Sequence, residues 1–154
     1  MNTGLRKIFV QSEGRFFSDT ESAAIRSWAA MMPDRISAAR AMELAEDDLV
    51  ETIATQFMSR ADEQSRIKDA LPKTERDLRL ILRYIALAYV RDDQGWFQRS
   101  FAEWIAEIFR GFATRETRML LGELIRRAVD DRLDPAYARG FEPYTAILAE
   151  ALAQ

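Results

Sequence analysis

The chain has 154 residues, 48% of them hydrophobic and 31% charged, with a formal charge of −3 from 22 basic and 25 acidic side chains. That length and composition suit one soluble globular domain with a full core. The signs are interspersed, without the basic stripe of a nucleic-acid binder. No apolar run approaches the roughly 20 residues needed to span a bilayer, and the N-terminus lacks the charged, apolar and small-residue order of a secretory signal. A cytoplasmic protein with no nucleic-acid or membrane partner is expected. There is no Cys and no His. Disulfides, thiolate ligands, thiol nucleophiles, thioether-attached groups, histidine-ligated haem or zinc and imidazole acid–base chemistry are thereby excluded. Carboxylate, Tyr or Lys chemistry remains, or binding alone.

Leu5, Ile8 and Phe9 predict a short amphipathic helix, ended by Ser12-Glu13-Gly14. Ser18 with Glu21 three residues on is a capping box, and Phe17 stands where a hydrophobic staple begins. A helix is expected from Asp19, with Ile25, Trp28, Ala29 and Met32 on its buried side, until Pro33 interrupts or kinks it. Over 34–59 the pattern is again helical, opening on Ile36 and Ala39 and closing on Leu49, Ile53 and Phe57. A break is expected near Glu46-Asp47-Asp48, an acidic run that reads as surface. Residues 60–73 are polar and read as a loop.

Residues 73–91 form the longest apolar-rich run. Leu78, Ile81, Leu82, Ile85 and Tyr89 make one stripe at helical spacing, and Leu80, Tyr84, Leu87 and Ala88 a second. A helix apolar on more than one face needs cover on most sides, so this one is expected at the centre. Its charges, Glu75, Arg76, Asp77, Arg79 and Arg83, gather toward its start. Asp92-Asp93-Gln94-Gly95 is turn chemistry. It leads into 96–112, where Phe97, Phe101, Trp104, Ile105, Ile108 and Phe112 form an aromatic stripe. Thr114 is the expected cap of a helix over 115–132, with Leu120, Leu121, Leu124, Ile125 and Ala128 inward. Asp134-Pro135 precedes a last helix carrying Tyr144, Ile147, Leu148, Ala151 and Leu152. No segment alternates with period two. The expectation is an all-α chain of seven or eight helices in one domain, 1–154.

In this order the pieces resemble the phycobiliproteins, the globin-fold subunits of light-harvesting antennae. The resemblance rests on Gly14-Arg15-Phe16-Phe17-Ser18 with Glu21, on Arg76-Asp77-Leu78 followed by Leu82-Arg83, and on the Gly95 turn with the helices after it. It implies a globin-like domain with a short N-terminal helical extension over 1–17, pairing as a homodimer through its N-terminal helices. The family's attachment cysteine, two residues before the Arg-Asp pair, is here Thr74, and the loop before it is shortened. An ordinary antenna subunit is therefore not expected. The character is closer to the relatives associated with bilin synthesis in non-photosynthetic bacteria. The resemblance then implies a tetrapyrrole held non-covalently, either a bilin such as biliverdin or phycocyanobilin or a corrinoid such as cobalamin, in a carrier, store or sensor.

The resemblance assigns Asp77 to the pyrrole N–H groups and Arg76 to a propionate, and it keeps an Arg at the place of Arg83. The residues themselves leave other readings open. Thr74 and Asp77 have capping-box spacing, so Asp77 also reads as the cap of its own helix. Trp96, Phe97, Phe101 and Trp104 read as a wall for a flat ligand or as core. Tyr84 offers a phenol to a ligand oxygen or packs with its hydroxyl near the surface, as does Tyr89. Arg79 and Arg83 read as solvated or paired with Asp92, Asp93 or Glu75. No catalytic set is visible, so binding is expected rather than catalysis. The alternative is a ligand-free interaction module that keeps the globin fold; an enzyme working through carboxylates or Tyr is a third reading.

Overall fold

The computed structural model describes residues 2–60 and 71–154, and among these every regular element is helical. In chain order they are α1 (Thr3–Gln11), α2 (Asp19–Ala30), α3 (Met32–Leu44), α4 (Glu46–Arg60) and α5 (Leu71–Arg91). Then come α6 (Gln94–Phe97), a π-helical turn (Gln98–Ala102), α7 (Glu103–Arg110), α8 (Arg115–Arg132) and α9 (Pro135–Ala153). The all-α globin-like expectation holds. The loop expected over 60–73 lies mostly outside the described residues, but α5 is already under way at Leu71.

The helix starts follow local chemistry. Asn2 accepts from the Leu5 N–H at 2.8 Å. Ser18 and Glu21 close the expected capping box, with Glu21 also taking both nitrogens of Arg15 at 2.7 and 2.8 Å. Thr114 caps α8 as expected, and Asp134 with Pro135 at the first helical position starts α9. The break near 46–48 falls at Ala45.

α5 is central. α3, α4, α6 and α9 all pack against it, and α9 packs extensively against α8. Leu78, Ile81, Leu82, Ile85 and Ala88 are sealed in the core with Leu49 and Ile53 of α4, Phe97 and Phe101, Leu121 and Ile125 of α8, and Phe141 and Leu148 of α9. The second stripe of α5 is only partly covered, because Leu87 opens to solvent.

Two segments depart from the periodicity. Among the described residues α2 buries no side chain fully: Ile25 and Trp28 are half-buried and Ala29 is exposed, and Met32, expected on the same face, is half-buried at the start of α3. Its apolar face has little over it. The aromatic stripe over 96–112 is split, with Phe97, Phe101 and Ile105 buried but Trp104, Ile108 and Phe112 exposed. The π-helical turn is the reason. Its wider winding advances the phase of the inward face, so that Ala102, Ala106 and Phe109 point inward instead.

Candidate functional site

Arg76 and Asp77 lie on the second turn of α5. The helix begins at Leu71, with proline as its second residue, so Thr74 stands inside the helix and the Thr74–Asp77 pair is not a capping box. The cap reading of Asp77 is thereby overturned. Arg76 donates from Nε and Nη2 to Asp77 Oδ1 at 3.3 and 3.2 Å, with the arginine side chain 76% exposed and the aspartate 31%. A solvated pair of this kind holds little energy, about 0–1 kcal/mol, and both groups can be redirected toward a ligand at small cost. Thr74 is half-buried on the same opening stretch of α5.

Seven residues on from Asp77, and so on the same helical stripe, is Tyr84. Its ring stacks on Phe101, with centroids 4.1 Å apart and planes within 10°, and lies parallel to Trp96 at 6.2 Å. Trp96 carries the guanidinium of Arg91 at 4.2 Å from its ring, a cation–π contact the sequence did not announce. Trp104 meets Phe101 at 6.1 Å and is 51% exposed. The four aromatic residues thus fall into two classes. Phe97 and Phe101 are core, wedged between Tyr84 and Tyr144. Trp96, half-buried against the core, and Trp104, exposed, form the outer edge of the cluster. A flat ligand has no room between Tyr84 and Phe101, so the Trp edge is the face left to it.

Arg83 sits elsewhere. Its Nε and Nη2 each donate to Glu46 at 2.7 Å, a bidentate bond that raises the basicity of the guanidinium. Arg79 reaches Asp47 at 3.0 Å, with Glu46 and Glu75 near 3.7 and 3.8 Å, and Arg132 reaches Asp48 at 3.0 Å. The acidic run at the start of α4 is therefore a clasp that ties α4 to α5 and α8: Asp47 and Asp48 lie at the surface as expected, while Glu46 is largely buried. Of the expected partners of Arg79 and Arg83, only Glu75 is used; neither arginine reaches Asp92 or Asp93. Arg83 also borders a groove of about 570 Å3 between α3 and α5, lined by Ile36, Met42, Ala86 and Val90. Neither Trp96 nor Trp104 lines it.

One further anchor escaped the periodicity. Asp93 accepts from the Thr3 N–H and hydroxyl at 2.7 and 2.6 Å and from the Trp96 N–H at 2.9 Å. Burial pushes its carboxyl upward, but the hydrogen bonds from Thr3 and Trp96 outweigh that and hold it below the usual range. This one carboxylate pins the N-terminal helix to the start of the aromatic segment. The signal for half of it was present, since Asp93 stands three residues before Trp96 as an N-cap does. Nothing in the sequence pointed to Thr3.

Among the described residues no group of three or more His, Cys, Asp or Glu side chains could hold a metal, and no helix is long and apolar enough to cross a membrane. A family model described as phycobilisome protein matches residues 10–152. No curated protein matches the chain.

Proposed function

The chain belongs to the phycobilisome protein family, and from that premise we propose that it binds a linear tetrapyrrole non-covalently, as a carrier, store or sensor rather than an antenna subunit. The observation that carries this is the Arg76–Asp77 pair. It is set inside α5, is not used as a cap, is bonded within itself, and stands on a chain with no Cys. The chemistry fits the group. Asp77 supplies an acceptor for pyrrole N–H groups, and the negative charge favours a protonated bilin. The planar guanidinium of Arg76 matches a propionate carboxylate in bidentate fashion. Trp96 and Trp104 offer the apolar edge against which a flat ring system can lie. When bound, the tetrapyrrole supplies colour; the chain supplies recognition. A corrinoid such as cobalamin suits the pair less well, because its ring nitrogens are bound to cobalt and carry no N–H for Asp77.

The test is the visible absorbance of the purified protein on titration with biliverdin, phycocyanobilin and cobalamin, followed by acid denaturation and gel separation. A shifted, sharpened bilin band whose colour leaves the polypeptide on denaturation is expected. No spectral change with any of the three supports the alternative, a ligand-free interaction module. The close Tyr84–Phe101 stack, which fills the space between α5 and the π-helical turn, favours that reading.

The same reading includes a homodimer through the N-terminal helices. Phe9 and Val10 on α1, Phe16 and Phe17 in the turn after it, and Met31 between α2 and α3 are all exposed large apolar side chains, the kind of surface a partner covers. Phe9→Asp combined with Phe17→Asp should give a folded monomer by light scattering.

A further inference from the structure

A contact far in sequence from Arg76 and Asp77 bears on the wall of the same site. Trp96 lies in α6, a single turn that passes directly into the π-helical turn. Regular winding is interrupted soon after Trp96, so the first turn relies on its cap. That cap is Asp93, which is buried and accepts from the Trp96 N–H through Oδ1 at 2.9 Å. Its other oxygen, Oδ2, accepts twice from Thr3, from the N–H at 2.7 Å and from the hydroxyl at 2.6 Å. Thr3 is the first residue of α1, where a backbone N–H has no partner within its helix and a carboxylate meets the positive end of the helix dipole. One carboxylate is thus shared between two segments 90 residues apart.

The rest of the turn is fixed without α1. Asp92, at φ 57°, donates its N–H to the Tyr89 carbonyl at 3.0 Å and sets its carboxylate on Arg35 Nη2 of α3 at 2.8 Å. What α1 supplies is the hold on Asp93 Oδ2. Held at both oxygens, this carboxylate has one orientation; released at Oδ2 it can rotate, and the acceptor of the Trp96 N–H moves with it. The Trp96 ring in turn carries the Arg91 guanidinium and lies parallel to Tyr84, on the stripe of α5 that also bears Asp77. Arg91 Nε is buried and finds no acceptor among the described residues, so the ring face is a contact that favours its charge. Thr3 itself lies at the surface, and Leu5 is the buried residue of α1, so the core has no need of this hydroxyl. We infer that Thr3 is a positioning residue for the tetrapyrrole site: through Asp93 it fixes the Trp96 ring against which the ligand lies, and docking of α1 and binding of a bilin strengthen each other.

This rests on the binding reading above, and the experiment separates the two. Biliverdin and phycocyanobilin are each titrated into wild type, Thr3→Val and Thr3→Ser, and the indole N–H signals of the ligand-free proteins are compared by NMR. Thr3→Val keeps the shape and the backbone N–H but removes the hydroxyl, so the bilin should bind roughly threefold to tenfold more weakly. The Trp96 indole signal should move while that of Trp104 stays, which a loss of stability alone would not produce. Thr3→Ser keeps the hydroxyl and should restore both. In wild type, the bound bilin should slow exchange of the Thr3 amide, as reciprocal coupling requires. A wild type that binds neither bilin overturns the binding reading and this role together. A wild type that binds, with Thr3→Val of equal affinity, an unmoved Trp96 signal or an unchanged Thr3 amide, overturns the positioning role and leaves the binding reading standing. A defect that Thr3→Ser fails to restore does the same.

Discussion

At the C-terminal end of the chain, α8 and α9 lie so close that a Cβ on Gly122 would stand 3.0 Å from the Cα of Ala149. At the N-terminal end, Phe9 of α1 stands edge-on to Phe17 of the turn before α2, with ring centroids 5.4 Å apart, and Leu5 is the buried apolar residue of the α1–α2 pair. Both pairs are amphipathic in sequence, and only one has its apolar face covered by its own chain. The C-terminal pair gains its stability from core packing. The N-terminal pair is held by polar contacts at its edges, namely the capping box, the Arg15–Glu21 bond and Thr3 on Asp93. An apolar stripe thus states which face seeks cover but not who supplies it.

A matched pair of truncations separates the two ends most strongly. Phe141→Ala on α9 empties a fully buried site and should cost about 3–5 kcal/mol in urea unfolding. Phe16→Ala, measured where the chain is monomeric, should change stability by no more than about 0.5 kcal/mol. Similar costs for the two would mean that the N-terminal turn packs within its own chain after all.

A smaller effect is expected at the close approach of α8 to α9. Gly122→Val sets side-chain atoms against the Ala149 backbone, and overpacking of this kind typically costs about 1–3 kcal/mol. A melting temperature equal to wild type would show that the two helices separate freely.

The third prediction concerns pH and separates the two ends by electrostatics. Hydrogen bonding from Arg15, with help from the Ser18 backbone, holds the Glu21 carboxyl down from 4.5 to about 2. A depressed carboxyl stabilises the folded form above its unfolded value, and that contribution is lost as pH falls through the folded one. Protection of the Ser18 and Glu21 amides, taken relative to their intrinsic exchange rates, should therefore fall as pH drops from 4.5 to 2, while α8 and α9 keep theirs. Glu21→Gln should show the lower protection already at neutral pH and no further fall over this range.

Much of this fold was legible beforehand. The inward residues of α8 and α9 are nearly those their spacing marks, because an uninterrupted 3.6 period maps directly onto one face. The family resemblance, carried by Arg76-Asp77-Leu78 and the Ser18–Glu21 box, agrees with the family match. What escaped did so for physical reasons. A π-helical turn bears no mark in residue type, so the phase shift that exposes Trp104 and buries Phe109 was invisible. The early start of α5 did have a sign in Pro72, a residue well suited to a first helical turn, and it moves Asp77 from the helix end to the helix body. Contacts between residues distant in the chain, such as Arg35 with Asp92 or Arg83 with Glu46, leave no local trace.

The claim at the centre is that Asp77 is an acceptor for a bilin, and titration of wild type and Asp77→Asn with the same bilin, each paired with thermal melting, tests it most directly. Asp77 is bonded to Arg76 on the second turn of α5 and caps nothing, so the substitution should leave the melting temperature close to wild type. Loss of charge-assisted bonds to the pyrrole N–H groups should weaken bilin binding by roughly tenfold or more. Equal affinities for the two proteins would contradict the claim and make the ligand-free interaction module the better account of this chain.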